Sequence, residues 1–266
     1  MRDSLSLSVR TITATRYVTP LREGGSLPAI VEADDDGLYV LKFRGAGQGA
    51  KALIAELVAG EIGRALNLPV PDIVLVELDG ALADTEPDPE IQDLLKASVG
   101  LNLALDYLPG SVTFDPLVER LTPELASAVV WFDSYVTNVD RTPRNANMLM
   151  WHKRLWLIDH GASLYFHHTW ANYMERSRKA FEHVKDHVLL PSATLLREVD
   201  ETLAARLTPE VVGEIVNLIP DAWLGNDNTF ESAGEFRQAY LDYLMRRLEP
   251  PRLFVQEAAR VRASLV

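Results

Sequence analysis

Residues Asn138 to Gly161 read NVDRTPRNANMLMWHKRLWLIDHG. Met148 to Trp151 and Leu155 to Ile158 are two apolar, β-prone runs separated by His152-Lys153-Arg154, which predicts a short two-stranded hairpin. Polar residues stand at both of its outer ends: Asn138 to Asn147 before the first strand, and Asp159-His160-Gly161 after the second. A hairpin of this length brings its outer ends together. Asp140, Asn145 or Asn147, and Asp159 are therefore expected at one mouth. Two carboxylates and a carboxamide make an oxygen-rich ligand set of the kind Mg²⁺ takes. Asp, Asn and Pro are also common turn formers, but the spacing and the strand context agree in both segments, which favours a site over two ordinary turns.

Upstream, Lys42 lies inside the run LYVLKF, and Glu56 follows in the next predicted helix. Burying an ammonium without a partner is costly. A carboxylate projecting from the adjacent helix satisfies it and leaves it aimed at an anion. Alone, this pair reads more readily as an edge-strand lysine in solvent and a surface helix glutamate. Beside the Asp140 and Asp159 segments it gains a role. Phosphoryl transfer asks the protein for cations on the phosphates, a lysine on their oxygens and a carboxylate that orients the attacking hydroxyl; the chain supplies a candidate for each.

The remainder of the chain frames these residues. Its 266 residues suffice for one large domain or two lobes sharing a cleft. Lys plus Arg number 26 against 38 Asp plus Glu, a net charge of -12. That balance argues against direct nucleic-acid binding, which rests on neutralising phosphates with a basic face. With no cysteine, disulfides and zinc–thiolate chemistry are excluded. No apolar run is long enough to span a membrane and no signal-like segment opens the chain, so a cytoplasmic protein is expected. Strands are expected at Ala29–Ala33 and Leu38–Phe43, joined by the turn Asp34-Asp35-Asp36-Gly37, and at Ile73–Leu78 and Val99–Tyr107. One helix is expected over Lys51–Leu66, and Ala83–Glu90 is expected to be a surface loop. Thr122-Pro123-Glu124 predicts a helix start, and helices are expected to begin near Ser192, Thr208 and Glu231. The fold class is thus α+β with two lobes: a β-rich lobe over 1–106 and a mainly helical lobe over 107–266.

The pattern DRxxxN, a short hairpin and then IDHG resembles the catalytic and metal-binding loops of the protein-kinase-like superfamily, including its phosphatidylinositol-kinase-like branch. LKFRGAGQGAKALIAELVAGEIGRALNLPVP and NVDRTPRNANMLM are similar to the HipA-like kinase family in particular, and the resemblance runs from about Tyr17 to Leu164. It implies a two-lobed protein-kinase-like fold, ATP and Mg²⁺ as cofactors, and a hydroxyl acceptor on a protein, with lipid or small-molecule acceptors also represented among such kinases. Asp140 would position the acceptor hydroxyl. Asp159 would hold Mg²⁺, with His160 where many kinases carry phenylalanine. Lys42 would contact the nucleotide phosphates and pair with Glu56. The segment around Leu105, Asp106, Tyr107 and Leu108 would be the hinge that offers backbone groups to adenine. For the metal asparagine, counting from Asp140 gives Asn145, whereas adjacency to the strand gives Asn147; the better-fixed position favours Asn147. The family's glycine-rich phosphate loop is missing before Lys42, and Gly24-Gly25-Ser26 is the nearest substitute. A regulatory protein partner, such as an antitoxin-like DNA-binding protein, is conceivable on the same resemblance.

Two other readings compete. Gly45-Ala46-Gly47-Gln48-Gly49 follows a strand and opens a helix, as a dinucleotide-binding turn does, with Glu77 further on. The distance to Glu77 is too long for that fingerprint, and no further strand–helix alternation follows. A nucleotide-binding regulator without turnover has no need of Lys42, Asp140 and Asp159 together. The pair His167-His168 reads as surface or loop.

Overall fold

The computed structural model describes residues 7–21, 27–47, 49–225 and 228–265. Among these, strands β1 (Thr11–Pro20), β2 (Ala29–Ala33), β3 (Leu38–Lys42), β4 (Ile73–Leu78) and β5 (Gly100–Asp106) close into a barrel in the order β1-β2-β3-β5-β4. Neighbours are antiparallel, except that Thr11–Thr13 of β1 runs parallel to Leu75–Glu77 of β4. The β2–β3 hairpin forms where the Asp-rich turn predicts it, with Glu32 opposite Leu38. Asp36, not the glycine, takes the left-handed conformation (φ 61). Gly37 is needed for space, because a Cβ there would lie 2.6 Å from the Tyr39 ring.

Helix α1 (Ala50–Ala65) leaves β3 through the glycine segment and is buried on every side from Leu53 to Gly63. Two elements here were not expected. The stretch read as a surface loop is a 3₁₀ turn over Gly80–Thr85 followed by a second helix, α2 (Pro89–Ala97). The Asp88 carboxylate accepts from the Glu90 amide at 3.0 Å, Pro89 occupies the first turn, and Ile91 and Leu95 turn inward one helical turn apart. These few contacts outweigh the polar composition. Strand β1 was not expected at all. Its alternation is confined to Ile12 and Ala14, the two residues that face inward.

Nor does the glycine segment lead into a dinucleotide fold. A dinucleotide-binding unit sits in a sheet of parallel strands, whereas here β5 is inserted between β3 and β4 and is antiparallel to both. Gly47 and Gly49 supply positive φ (50 and 65), and Gly45 lies against the end of α2, where a Cβ would meet the Ala97 Cβ at 2.8 Å.

Beyond β5 come a short strand β6 (Val112–Thr113), helix α3 (Pro123–Val136) and the hairpin β7 (Met148–Trp151) and β8 (Arg154–Leu157). The hairpin turns at His152-Lys153, both at positive φ, and joins β6 in a three-stranded sheet. Thr122 caps α3 by accepting the Leu125 amide at 3.3 Å. Helices α4 (Tyr173–Arg176), α5 (Leu196–Arg206), α6 (Pro209–Asn217), α7 (Ala233–Leu248) and α8 (Leu253–Ala263) complete the chain. Thr208 and Ser232 cap α6 and α7, as the start signals near those positions predict. His167, expected at the surface or in a loop, is instead fully buried within a 3₁₀ turn, with Nδ1 2.9 Å from the Tyr240 hydroxyl.

Two apolar clusters result. One fills the barrel; the other runs without a break from α1 through α3 to α8. On α3, Val129, Val130, Phe132 and Val136 are completely withdrawn from solvent, each contributing about 1.5–3 kcal/mol. Helix α1 therefore belongs by packing to the helical part, although it follows the barrel in sequence.

Candidate active site

Strand β3 places Lys42 between the barrel and α1. Its neighbours Leu41 and Phe43 are buried, so the strand is fixed and the lysine emerges on the α1 side. The ammonium lies 2.6 Å from Glu56 Oε2 and 2.6 Å from Asp159 Oδ1. Glu56, fully buried on α1, turns its other oxygen toward His160 Nδ1 at 3.3 Å, and the His160 ring stands edge-on to Phe132. Burial opposes both charges of the Lys42–Glu56 pair, but the partners outweigh it. Glu56 and Asp159 hold the Lys42 ammonium above the ordinary lysine value. Lys42, with help from His160, holds the Glu56 carboxyl well below the usual carboxylate range.

The loop between α3 and β7 carries the second carboxylate. Thr142 and Asn145 exchange backbone hydrogen bonds at 3.0 and 3.1 Å around Pro143-Arg144, a tight turn that folds Asn145 back onto Asp140. The Asn145 amide donates to Asp140 Oδ2 at 2.8 Å, and the Asn147 amide approaches the same oxygen at 3.4 Å. Burial raises the Asp140 carboxyl above its ordinary value; the hydrogen bond from Asn147 counters this, and the charge of Asp159 adds to it.

Across the hairpin mouth the Ile158 amide donates to the Asn147 carbonyl at 3.0 Å, which seats Asn147 beside Asp159. Asn147 is buried and Asn145 is exposed, and Asn147 and Asp159 both adopt positive φ (48 and 56). The structure thus brings together Lys42, Glu56 and Asp159 as one group, and Asp140, Asn145 and Asn147 as an adjoining one. Both asparagines spend amide hydrogens on Asp140 and keep their side-chain oxygens, and the Asp159 side chain is 45% exposed. Hard oxygen donors of this kind fit Mg²⁺. Among the described residues no three His, Asp or Glu side chains are grouped as a metal site, so phosphate oxygens and water would complete such a shell.

Gly24, Gly25 and Ser26 lie outside the described residues. Asp106 ends β5; its side chain lines a groove of about 430 Å³ with Asp72, Trp151 and Trp156, and burial and the Asp72 charge push its carboxyl up. The Asp106 amide bonds to the Asp72 carbonyl at 2.8 Å, and the Tyr107 amide to that of Leu38 at 3.0 Å. Leu108 is buried just beyond them.

Sequence reasoning passed over the residues beneath the loop. Asp133 on α3, Asn138, Arg141 and His187 are all buried, and the last three each bond to the Asp133 carboxylate. The available signal was an aspartate inside the apolar helical run VVWFDSYV, which demands a buried partner for the same reason as Lys42.

A family model described as HipA-like kinase matches residues 15–256. This chain belongs to the HipA-like kinase family. No curated protein matches it significantly. Among solved structures, the chain is similar to the Helicobacter pylori proinflammatory kinase CtkA (TM-score 0.53, 14% identity, covering 96% of this chain and 99% of that one). It is also similar to the Golgi casein kinase with Mn/ADP bound (TM-score 0.54, 11% identity, 97% and 75%). At such identities the likeness shows the fold, and that fold is kinase-like. No helix among the described residues is long and apolar enough to cross a membrane.

Proposed function

We propose that this member of the HipA-like kinase family transfers the γ-phosphoryl group of ATP, bound with Mg²⁺, to a hydroxyl, and that the acceptor is a protein serine or threonine. The observation that carries the reading is the bridged Lys42, held 2.6 Å from both Glu56 and Asp159 beside an Asp140 carboxyl flanked by two asparagines. A structural neighbour that was solved with Mn/ADP supports nucleotide and metal use. We place the nucleotide between a lobe of residues 1–106 and a lobe of residues 107–266, with backbone groups of Asp106, Tyr107 and Leu108 facing adenine and Gly24-Gly25-Ser26 near the phosphates. The acidic balance, a net charge of -12, goes with a protein partner and against direct nucleic-acid binding; we expect a cytoplasmic location.

In this mechanism Asp140 accepts a hydrogen bond from the acceptor hydroxyl, aligns its oxygen with the γ-phosphorus and takes the proton as the new P–O bond forms. The bond from γ-phosphorus to the bridging oxygen breaks, and ADP leaves with that oxygen. Its raised affinity for protons suits Asp140 to this acceptance. Lys42 turns from Asp159 toward the phosphates and stays ionised because Glu56 remains beneath it. Asp159 and Asn147, or Asn145, would hold Mg²⁺, which offsets phosphate charge when bound.

Calorimetric titration of ATP with and without Mg²⁺ tests the reading. Mg²⁺-dependent ATP binding should be lost in Asp159→Ala, whereas Asp140→Asn should keep binding and lose turnover. Unchanged turnover in Asp140→Asn would overturn the mechanism.

A further inference from the structure

Asp133 lies one turn before the end of α3, with no solvent exposure. Three donors from two segments, the α3–β7 loop and the stretch around His187, converge on its carboxylate. The Asn138 amide donates to Oδ1 at 2.9 Å, Arg141 Nε to Oδ2 at 2.6 Å, and His187 Nε2 lies 2.9 Å from Oδ2. His187 Nδ1 accepts the Leu189 amide at 3.0 Å, which leaves the ring hydrogen on Nε2 and makes that contact a donation to Asp133. The Val188 amide, next in sequence, donates to the Arg141 carbonyl at 3.1 Å.

We propose that Asp133 is a positioning residue of this site, a buried carboxylate that fixes the Asp140 backbone through Asn138 and the Asn147 backbone through Arg141. The inference rests on the phosphotransfer reading, in which Asp140 and Asn147 act on substrate and metal. What carries it is that both groups held by Asp133 pass their hold onward. The Asn138 side chain, anchored by its amide, accepts the Asp140 N–H on its oxygen at 3.1 Å. Arg141, anchored through Nε, donates through its next nitrogen to the Asn147 carbonyl, with the Ala146 carbonyl at 3.4 Å. A pair serving stability alone would end at its partners. A buried ion pair is, besides, a poor stabiliser relative to apolar packing. The two relays reach the residues flanking both sides of the loop turn, so the separation of the Asp140 carboxyl from the metal asparagine is set from below by one group.

The test pairs Asn138→Ala, which cuts one relay and leaves no buried charge unpaired, with Asp133→Asn. Two readouts are taken on the full chain: amide hydrogen exchange at Asp140, and steady-state turnover of ATP with Mg²⁺. Exchange at Asp140 should be several-fold faster in both variants while amides of α3 keep their protection. In Asn138→Ala, kcat should fall about 10- to 100-fold, as is typical when groups supporting a site are removed, with KM for ATP little changed. Adding Asn138→Ala to Asp133→Asn should cost little more than Asp133→Asn alone, because the two act in series. If Asp133→Asn fails to fold, Asn138→Ala still decides. Unaltered exchange and kcat in Asn138→Ala, or fully additive losses in the double variant, would overturn the proposal. A wild-type protein that turns over no ATP would sink the phosphotransfer reading instead, and exchange at Asp140 would still decide whether Asp133 orders the loop.

Discussion

A buried charge declares itself by what must be placed beside it. Lys42 was legible in sequence on that ground once the Asp140 and Asp159 segments stood beside it: it lies in an apolar strand, and Glu56 on the next helix was read as its counter-charge. Asp133 obeys the same logic but was not read, because its partners Arg141 and His187 come from loops without periodicity. The Asp133 carboxyl has a signature in stability. Burial opposes its charge, but Arg141 and then His187 outweigh burial and hold it well below the usual carboxylate range. A depressed acid contributes stability that is fully present above its unfolded value of 3.8 and is lost as pH falls from there toward the folded one. Replacing Asp133 by Asn removes one partner of a buried pair and should cost about 3–5 kcal/mol near neutral pH. Denaturant unfolding of both proteins across pH checks this. The gap between wild type and Asp133→Asn should be constant above pH 3.8 and narrow below it; a gap that widens on acidification contradicts the assignment.

Elements were legible where start and stop signals were strong. Thr122-Pro123-Glu124 and Thr208-Pro209-Glu210 begin α3 and α6 as the capping chemistry dictates. The hairpin around His152-Lys153 lies where two apolar runs flank a polar pair. Helix α2 was hidden because Asp88-Pro89-Glu90 carries the same start signal inside an acidic stretch that reads as loop, and β1 because only Ile12 and Ala14 alternate. The glycine segment shows why a motif needs its surroundings. Its glycines answer to local geometry, Gly45 to the close approach of α2 and Gly47 and Gly49 to positive φ. Gly45→Ala should therefore destabilise the fold by about 1–3 kcal/mol through overpacking and leave Mg²⁺-dependent ATP affinity intact in the folded fraction. Thermal unfolding beside calorimetry separates the two effects; loss of nucleotide affinity without loss of stability would return the segment to phosphate binding.

At the scale of the molecule, the order of segments in sequence and the order of packing differ. Residues 1–106 contain the barrel, yet α1 within them is buried against α6 and shares the apolar cluster of α3, α7 and α8. Cross-links reinforce this. Lys51 donates to the His167 carbonyl at 2.7 Å, Arg206 to that of Leu66 at 2.7 Å, and the Trp223 indole to that of Leu101 at 3.0 Å. None of these partners is near the other in sequence, and no periodicity announces them. The full chain should unfold in one calorimetric transition, and a fragment of residues 1–106 should show none, since α1 would expose Leu53, Leu57, Val58 and Ile62. Two separate transitions in the full chain would refute that coupling. The barrel has one more consequence. Because β1 closes onto β4 over Thr11–Thr13, both strands are paired on two sides there. Extended chain segments that recruit neighbours by adding a strand have nowhere to dock there. That closure removes one edge at which sheets grow into aggregates, and in the second sheet the edge strand Val112–Thr113 is two residues long, too short to seed such growth.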